Sequence, residues 1–244
     1  MPQLLKKCIV EAIGTAFLTL FACGIAVLSG EYITAALGFG LVIVFVAYTF
    51  GSISGCHINP AVSLAMFLRG KMSLKEMFAY MGAQVIGAFV GSALLGVFLV
   101  NVAPFNTLGQ NEIAYALMGG VDYNAWSYIG GFLVEVILTF VFVFVILWVT
   151  DEKKYNGKCA PLYIGGALTF VHMLGIGLTG TSVNPARSLA PAVIAAIAGE
   201  TSSLEQVWIW ILAPLAGAAL AALVYKVAFD KKAEEPKAEE TPVE

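Results

Sequence analysis

The chain has 244 residues, of which 59% are hydrophobic and only 12% charged, with a mean hydropathy of +0.87. A soluble domain carries about a quarter charged residues, so this composition excludes an ordinary water-soluble globule and places the chain in lipid. The formal net charge of −3 points to no particular partner, and no nucleic-acid partner is expected.

The amino-terminal stretch MPQLLKKCIVE has a basic start but no small-residue cleavage site after its apolar run. It reads as the start of a retained helix and not as a removed signal. A spanning helix needs about 20 apolar residues, and six stretches qualify: 8–28, 34–53, 77–101, 127–150, 161–180 and 206–228. Two shorter apolar segments, 60–69 and 185–197, are long enough for only half the hydrocarbon thickness at about 1.5 Å per residue. Each follows an Asn-Pro pair. The charged terminal stretch KKAEEPKAEETPVE reads as a disordered, solvated tail.

Basic residues set the expected orientation. Lys6, Lys7, Arg69, Lys71, Lys75, Lys153, Lys154, Lys158, Lys226, Lys231, Lys232 and Lys237 fall at the termini, after the first short segment, and between spans four and five. The connections 29–33, 102–126 and 198–205 contain none. Six spans with this alternation put both termini in the cytoplasm. Arg187 alone breaks the pattern.

The first half lies on the second. Glu11-x-x-x-Thr15 matches Glu135-x-x-x-Thr139, Asn59-Pro60-Ala61 matches Asn184-Pro185-Ala186, and Gln84 through Ala88 matches Pro214 through Ala218. Three spans per half is an odd number, so the halves must be inverted, and such repeats place a substrate path at their interface near the midplane. The fold expected is an all-α membrane protein of six transmembrane helices and two half-spanning re-entrant helices. It forms one channel domain over 1–228, with repeat halves 4–101 and 127–228 and a cytoplasmic tail over 229–244.

Proline suits the first position of a helix and asparagine its N-cap, so each Asn-Pro starts a half-helix. Two helix N-termini meeting at mid-membrane bring two positive dipole ends together. If each asparagine oxygen caps its own helix, the amide groups of Asn59 and Asn184 remain as donors to a passing water. A water held that way cannot relay a proton in line, which with the dipole field opposes proton and cation passage. Glu11 and Glu135 lie inside spans, where an ionisable group is expensive. They serve either a proton relay or, the favoured reading, as internal partners for irregular backbone.

The segments SGCHINPAV and GTSVNPARS, with the paired E-x-x-x-T spans, resemble the aquaporin (major intrinsic protein) family over about residues 4–228, in its orthodox, prokaryotic-like water-channel branch. The resemblance implies a homotetramer with a pore in each subunit, in the plasma membrane, with water as permeant, lipid as surroundings and no cofactor. It further implies that Glu11 and Glu135 accept hydrogen bonds from the half-helix loops. By offset from the motifs it implies a selectivity filter of Phe39, His172, Thr181 and Arg187, the set of water-selective members, where glycerol conductors replace His by a small residue. Ser188 and Ala192 also agree with water. In span six only Trp210 of Trp208-Ile-Trp210 takes the place of the usual aromatic pair, which leaves gas or small-solute permeation open.

Physically, Arg187 brings a fixed positive charge, His172 narrows the path and Phe39 forms an apolar wall. Cys56, the repeat counterpart of Thr181, is a candidate mercurial site near the cytoplasmic vestibule or else a small packing residue. His57 reads as loop packing ahead of a pH sensor. Among rivals, a proton-coupled transporter would use Glu11 and Glu135, and a glycerol or CO2 facilitator is the nearest alternative within channels. An enzyme fails on inventory: two histidines and four cysteines without a CxxC pair assemble neither a metal site nor a nucleophile–base set.

Overall fold

The structure, a computed structural model, describes residues 1–102, 107–114, 117, 123–151 and 157–230. The proposed tail therefore lies outside the described residues from 231 onward, as do Lys153 and Lys154. Six helices are long and apolar enough to cross a membrane: α1 (Gln3–Ser29), α2 (Tyr32–Ser54), α4 (Leu74–Leu99), α5 (Ala125–Val149), α6 (Ala160–Thr179) and α9 (Val207–Phe229). Between them lie the short α3 (Pro60–Leu68) and α7 (Pro185–Ile197), then a single turn, α8 (Ser202–Glu205). The architecture is the expected one, with each end within a few residues of the sequence estimate.

Local chemistry explains the boundaries. Ser73 and Glu76 form a reciprocal capping box at the start of α4, and Asn124 with Ser127 forms another at α5, each satisfying N–H groups that a helix start leaves open. Gly30, Gly55 and Gly180 end α1, α2 and α6 with left-handed backbone at φ of 61°, 88° and 68°, the usual C-terminal device. One feature had no sequence signal: α1 widens into a π-turn over Leu18–Ala22. There the Thr19 hydroxyl donates to the carbonyl of Ala88 on α4 at 3.2 Å.

The packing repeats across the halves. In the first half α1 lies on α4, in the second α5 lies on α9, and α2 against α6 joins them. A methyl group at Gly87 would sit 2.0 Å from the carbonyl oxygen of Ala12, and one at Gly217 would sit 2.4 Å from that of Val136. These are the residues next to Glu11 and Glu135. Each half thus closes on itself at an equivalent point, and only the missing side chain permits such close crossing. Gly40 on α2 and Gly165 on α6 show the same contact about the repeat axis, each facing the other's carbonyl oxygen at 2.5 and 2.6 Å.

Basic residues gather at one end of the bundle. Lys7 pairs with Glu76 at 3.6 Å, Arg69 at the end of α3 pairs with Asp230 at 2.6 Å, and the Tyr225 hydroxyl donates to Asp151 at 2.7 Å. Arg187 belongs to the other end, where it meets the segment 107–114.

Candidate functional site

The site is built by the loops that precede α3 and α7. In each, residues three and one before the asparagine adopt positive φ: Cys56 at 51° and Ile58 at 40°, Thr181 at 51° and Val183 at 44°. For residues other than glycine this conformation is strained by about 1–3 kcal/mol each, so something must hold it. The two buried carboxylates do.

Glu11 accepts from the N–H of His57 at 3.0 Å and of Ile58 at 2.6 Å, from the Ser54 hydroxyl at 2.6 Å and from the Gln84 amide at 2.8 Å. Glu135 accepts from the N–H of Ser182 and Val183, both at 2.8 Å, and from the Thr179 hydroxyl at 2.6 Å. Charge-assisted bonds of this kind are about twice as strong as neutral ones. The correspondence extends further than the motifs. Ser54 and Thr179 occupy equivalent places, and the pair His57–Ser63 (3.1 Å) is mirrored by Ser182–Ser188 (2.6 Å). The halves differ where Gln84 gives Glu11 a fourth bond, because the aligned position in α9 is Pro214.

Asn59 accepts from the N–H of Ala61, and Asn184 from those of Ala186 and Arg187, so both side-chain oxygens cap their own half-helices. The amide groups also cross between halves. Asn59 donates to the Val183 carbonyl at 2.7 Å and Asn184 to the Ile58 carbonyl at 2.9 Å. An NH2 group has two hydrogens, so one on each side chain is spent on this brace and one is left. That mutual clamp was not foreseen from sequence. Both asparagines are otherwise buried, at 3% and 4% exposure, and the exposed remnant faces an internal cavity.

That cavity offers about 20 Å³ to the centres of water molecules, and it is bordered by Asn59 and Asn184, by His57, and by Phe39, His172 and Arg187. Such a volume holds a water or two at a time. The Phe39 and His172 rings stack at 4.2 Å, and the Arg187 guanidinium lies 4.9 Å from the Phe39 ring centre. His172 Nδ1 lies 2.9 Å from the Leu168 carbonyl oxygen. A carbonyl only accepts, so Nδ1 carries the hydrogen and Nε2 is left as a bare acceptor. Nε2 is buried without a protein partner, as is Arg187 Nε. Beyond Phe39 and Arg187 the space widens into a vestibule of about 330 Å³ edged by Glu31 and Tyr32.

Two candidates stand apart from the cavity wall. Thr181 shares the loop, but its hydroxyl lies against Gly175, where a methyl group would come within 2.4 Å; the residues bordering the cavity do not include it. Cys56 is half-buried, one residue beyond the lining, with its N–H donating to Ser54 at 3.0 Å. Trp210 is fully buried beside Ile113 and Ile209, and its carbonyl accepts from Ser182 at 3.3 Å.

Sequence reasoning missed Asn111. Fully buried, it accepts from Arg187 Nη1 at 2.7 Å and from the Ser188 hydroxyl at 2.8 Å, while its amide donates to the Thr179 carbonyl at 3.0 Å. Arg187 Nη1 also donates to the Gly109 carbonyl at 2.8 Å. The signal available was indirect: a membrane-buried arginine needs acceptors, and the connection 102–126 was rich in them.

Comparison with known proteins agrees with this architecture. The family described as "Major intrinsic protein" matches residues 1–225. Proteins named Aquaporin Z from Rhodopseudomonas palustris and Brucella melitensis are 38% and 36% identical over 91% of this chain and 92% and 97% of theirs. A glycerol uptake facilitator protein-like 6 from Lactiplantibacillus plantarum is 38% identical over 91% of this chain and 98% of its own. Among solved structures, the aquaglyceroporin from Plasmodium falciparum superposes with a TM-score of 0.79 at 26% identity, covering 92% of this chain and 96% of that one. The chain is a multi-pass membrane protein of the aquaporin, or major intrinsic protein, family of channels.

Proposed function

We propose that the chain is a passive water channel that excludes protons and ions. The observation that carries this reading is a narrow cavity bordered at once by Phe39, His172, Arg187 and the two motif asparagines. Water entering from the wide vestibule meets the His172 Nε2 acceptor and the Arg187 donors, which replace part of its lost hydration. The guanidinium charge repels cations there. At the asparagines the free amide hydrogens bind the water oxygen. The N-termini of α3 and α7 orient it further, since each carries a partial positive charge of about half a unit. Its hydrogens then point away on both sides, and the line of proton hops is interrupted.

In this reading Asn59, Pro60, Ala61, Asn184, Pro185 and Ala186 form the pore centre, while Phe39, His172 and Arg187 line the filter and Thr181, set back against Gly175, contributes to it through the loop that presents Arg187. Glu11 and Glu135 hold the loops. The bonds at both carboxylates favour a supporting duty over proton relay, because their partners are donors on the loops, on Ser54 and Thr179 at the helix ends that lead into those loops, and on Gln84. Residues 1–228 act as one channel domain, assembled as a homotetramer in the plasma membrane with both termini cytoplasmic, as the clustering of Lys7, Arg69 and their partners at one end suggests. Cys56 at the cytoplasmic approach is either a candidate mercurial site or a small packing residue, and loss of inhibition in Cys56→Ser decides for the first.

A glycerol facilitator is the second reading, supported by the relative and the solved structure that carry glycerol-related names. A cavity this small and the imidazole of His172 weigh against it. Stopped-flow osmotic shrinkage of proteoliposomes in an impermeant solute and in glycerol separates the two. The channel proposed here accelerates water and leaves glycerol entry at the protein-free rate; glycerol entry matching water would replace it with the second reading.

A further inference from the structure

The filter arginine is held in an unusual electrical setting. A buried guanidinium is ordinarily met by a carboxylate, yet both acceptors of Arg187 Nη1 are neutral: the Gly109 carbonyl at 2.8 Å and Asn111 Oδ1 at 2.7 Å. Carboxylates are close in sequence and in space but are directed elsewhere. Glu112, the next residue, shares the single Ser202 hydroxyl hydrogen with Glu200, and Glu135 is engaged by Thr179 and by the loop before α7.

The orientation of the Asn111 amide is fixed by its partners. Its Oδ1 accepts from Arg187 and from Ser188, and its NH2 donates to the Thr179 carbonyl. The opposite orientation would set NH2 against a guanidinium and oxygen against a carbonyl. Its main-chain carbonyl accepts from Ser203 at 2.7 Å, so the residue is anchored to α6 and α7 by its side chain and to α8 by its main chain. An aspartate would have almost the same shape, though it would lose the donor to the Thr179 carbonyl.

We infer that Asn111 is a positioning residue and a determinant of charge selectivity: its neutral oxygen fixes Arg187 against the cavity wall without cancelling the positive charge that keeps cations out. The inference rests on the reading of Arg187 as the filter cation. A carboxylate at 111 would form a buried pair with the guanidinium, and the cavity would lose the repulsive field while keeping its width.

The test reconstitutes the full chain, Asn111→Asp and Arg187→Val in proteoliposomes. Osmotic water flux is measured together with proton entry, read by an enclosed pH-sensitive dye. Asn111→Asp is expected to raise the ratio of proton entry to water flux by about tenfold or more, equivalent to about 1.4 kcal/mol in the barrier, and Arg187→Val to raise it as well. A merely structural role for Asn111 would lower both fluxes and leave their ratio in place. If Arg187→Val leaks and Asn111→Asp does not, the inference is overturned while the filter reading stands. If neither leaks, the filter reading itself fails and takes the inference with it. A leak in Asn111→Asp alone also overturns it, because the effect would not pass through Arg187. Should Asn111→Asp not reach the membrane, Asn111→Ala is measured instead. It leaves the Arg187 guanidinium on Gly109 alone and free to swing into the cavity, so water flux should fall several-fold at an unchanged melting temperature in detergent; unchanged flux, or a fall matched by lost thermal stability, would overturn the inference.

Discussion

Replacing Glu135 by glutamine tests what the buried carboxylate does. Its two oxygens accept three hydrogen bonds, from the Ser182 and Val183 N–H groups and the Thr179 hydroxyl. A glutamine has one accepting oxygen, and its NH2 would face a donor wherever it turns. At least one buried donor is then unpaired, which costs about 1–3 kcal/mol, and the bonds that survive lose their charge assistance, worth about 1 kcal/mol each. The loop cannot absorb this easily, because Thr181 and Val183 are held at positive φ at about 1–3 kcal/mol apiece. The combined loss of roughly 3–5 kcal/mol, from one unpaired donor and two weakened bonds, is enough to release the strained loop that presents Asn184 and Arg187. Glu135→Gln should therefore lower the melting temperature in detergent and cut stopped-flow water permeability severely. What flux remains should be indifferent to an imposed proton gradient. Wild-type stability and permeability in the variant would refute the supporting role; flux that is driven by protons in the wild type and uncoupled in the variant would establish a relay instead.

His172→Gly removes the ring stacked on Phe39 at 4.2 Å and should admit glycerol while retaining water flux; glycerol entry at the protein-free rate would argue against His172 as the constriction. Gly87→Ala places a methyl group 2.0 Å from the Ala12 carbonyl and should destabilise the α1–α4 crossing by about 1–3 kcal/mol or more. Gly82→Ala in the same helix meets nothing within 4 Å and should be tolerated, so equal melting temperatures for the two would contradict the packing account. Ser73→Ala removes the hydroxyl that accepts from the Glu76 N–H and donates to its carboxylate and should lower stability by about 1 kcal/mol; a melting temperature equal to that of the wild type would argue against the cap.

The fold was legible because its constraints are compositional: 20-residue apolar runs, two Asn-Pro starts and paired glutamates leave few arrangements in a bilayer. The asparagine caps followed from residue type alone. What lay beyond reach were contacts between segments far apart in sequence. Nothing local to Asn59 announces that its amide reaches Val183, or that Ser54 and Thr179 complete the two carboxylate sites, although their equal spacing from the motifs was visible once the carboxylates were known to need donors. Asn111 was hidden for a different reason. It sits in an irregular connection without periodicity, where an asparagine reads as a turn residue. The π-turn at Leu18–Ala22 had no signal either, since the hydrophobic run continues through it unchanged.

The central claim joins two properties in one path, rapid water and blocked protons, and both can be read in a single preparation. Proteoliposomes holding the full chain and a pH-sensitive dye are given an osmotic step and a proton gradient together. The account predicts shrinkage far faster than in protein-free vesicles, with acidification of the lumen no faster than theirs. Acidification that rises with the amount of protein, or shrinkage that depends on the proton gradient, would contradict it.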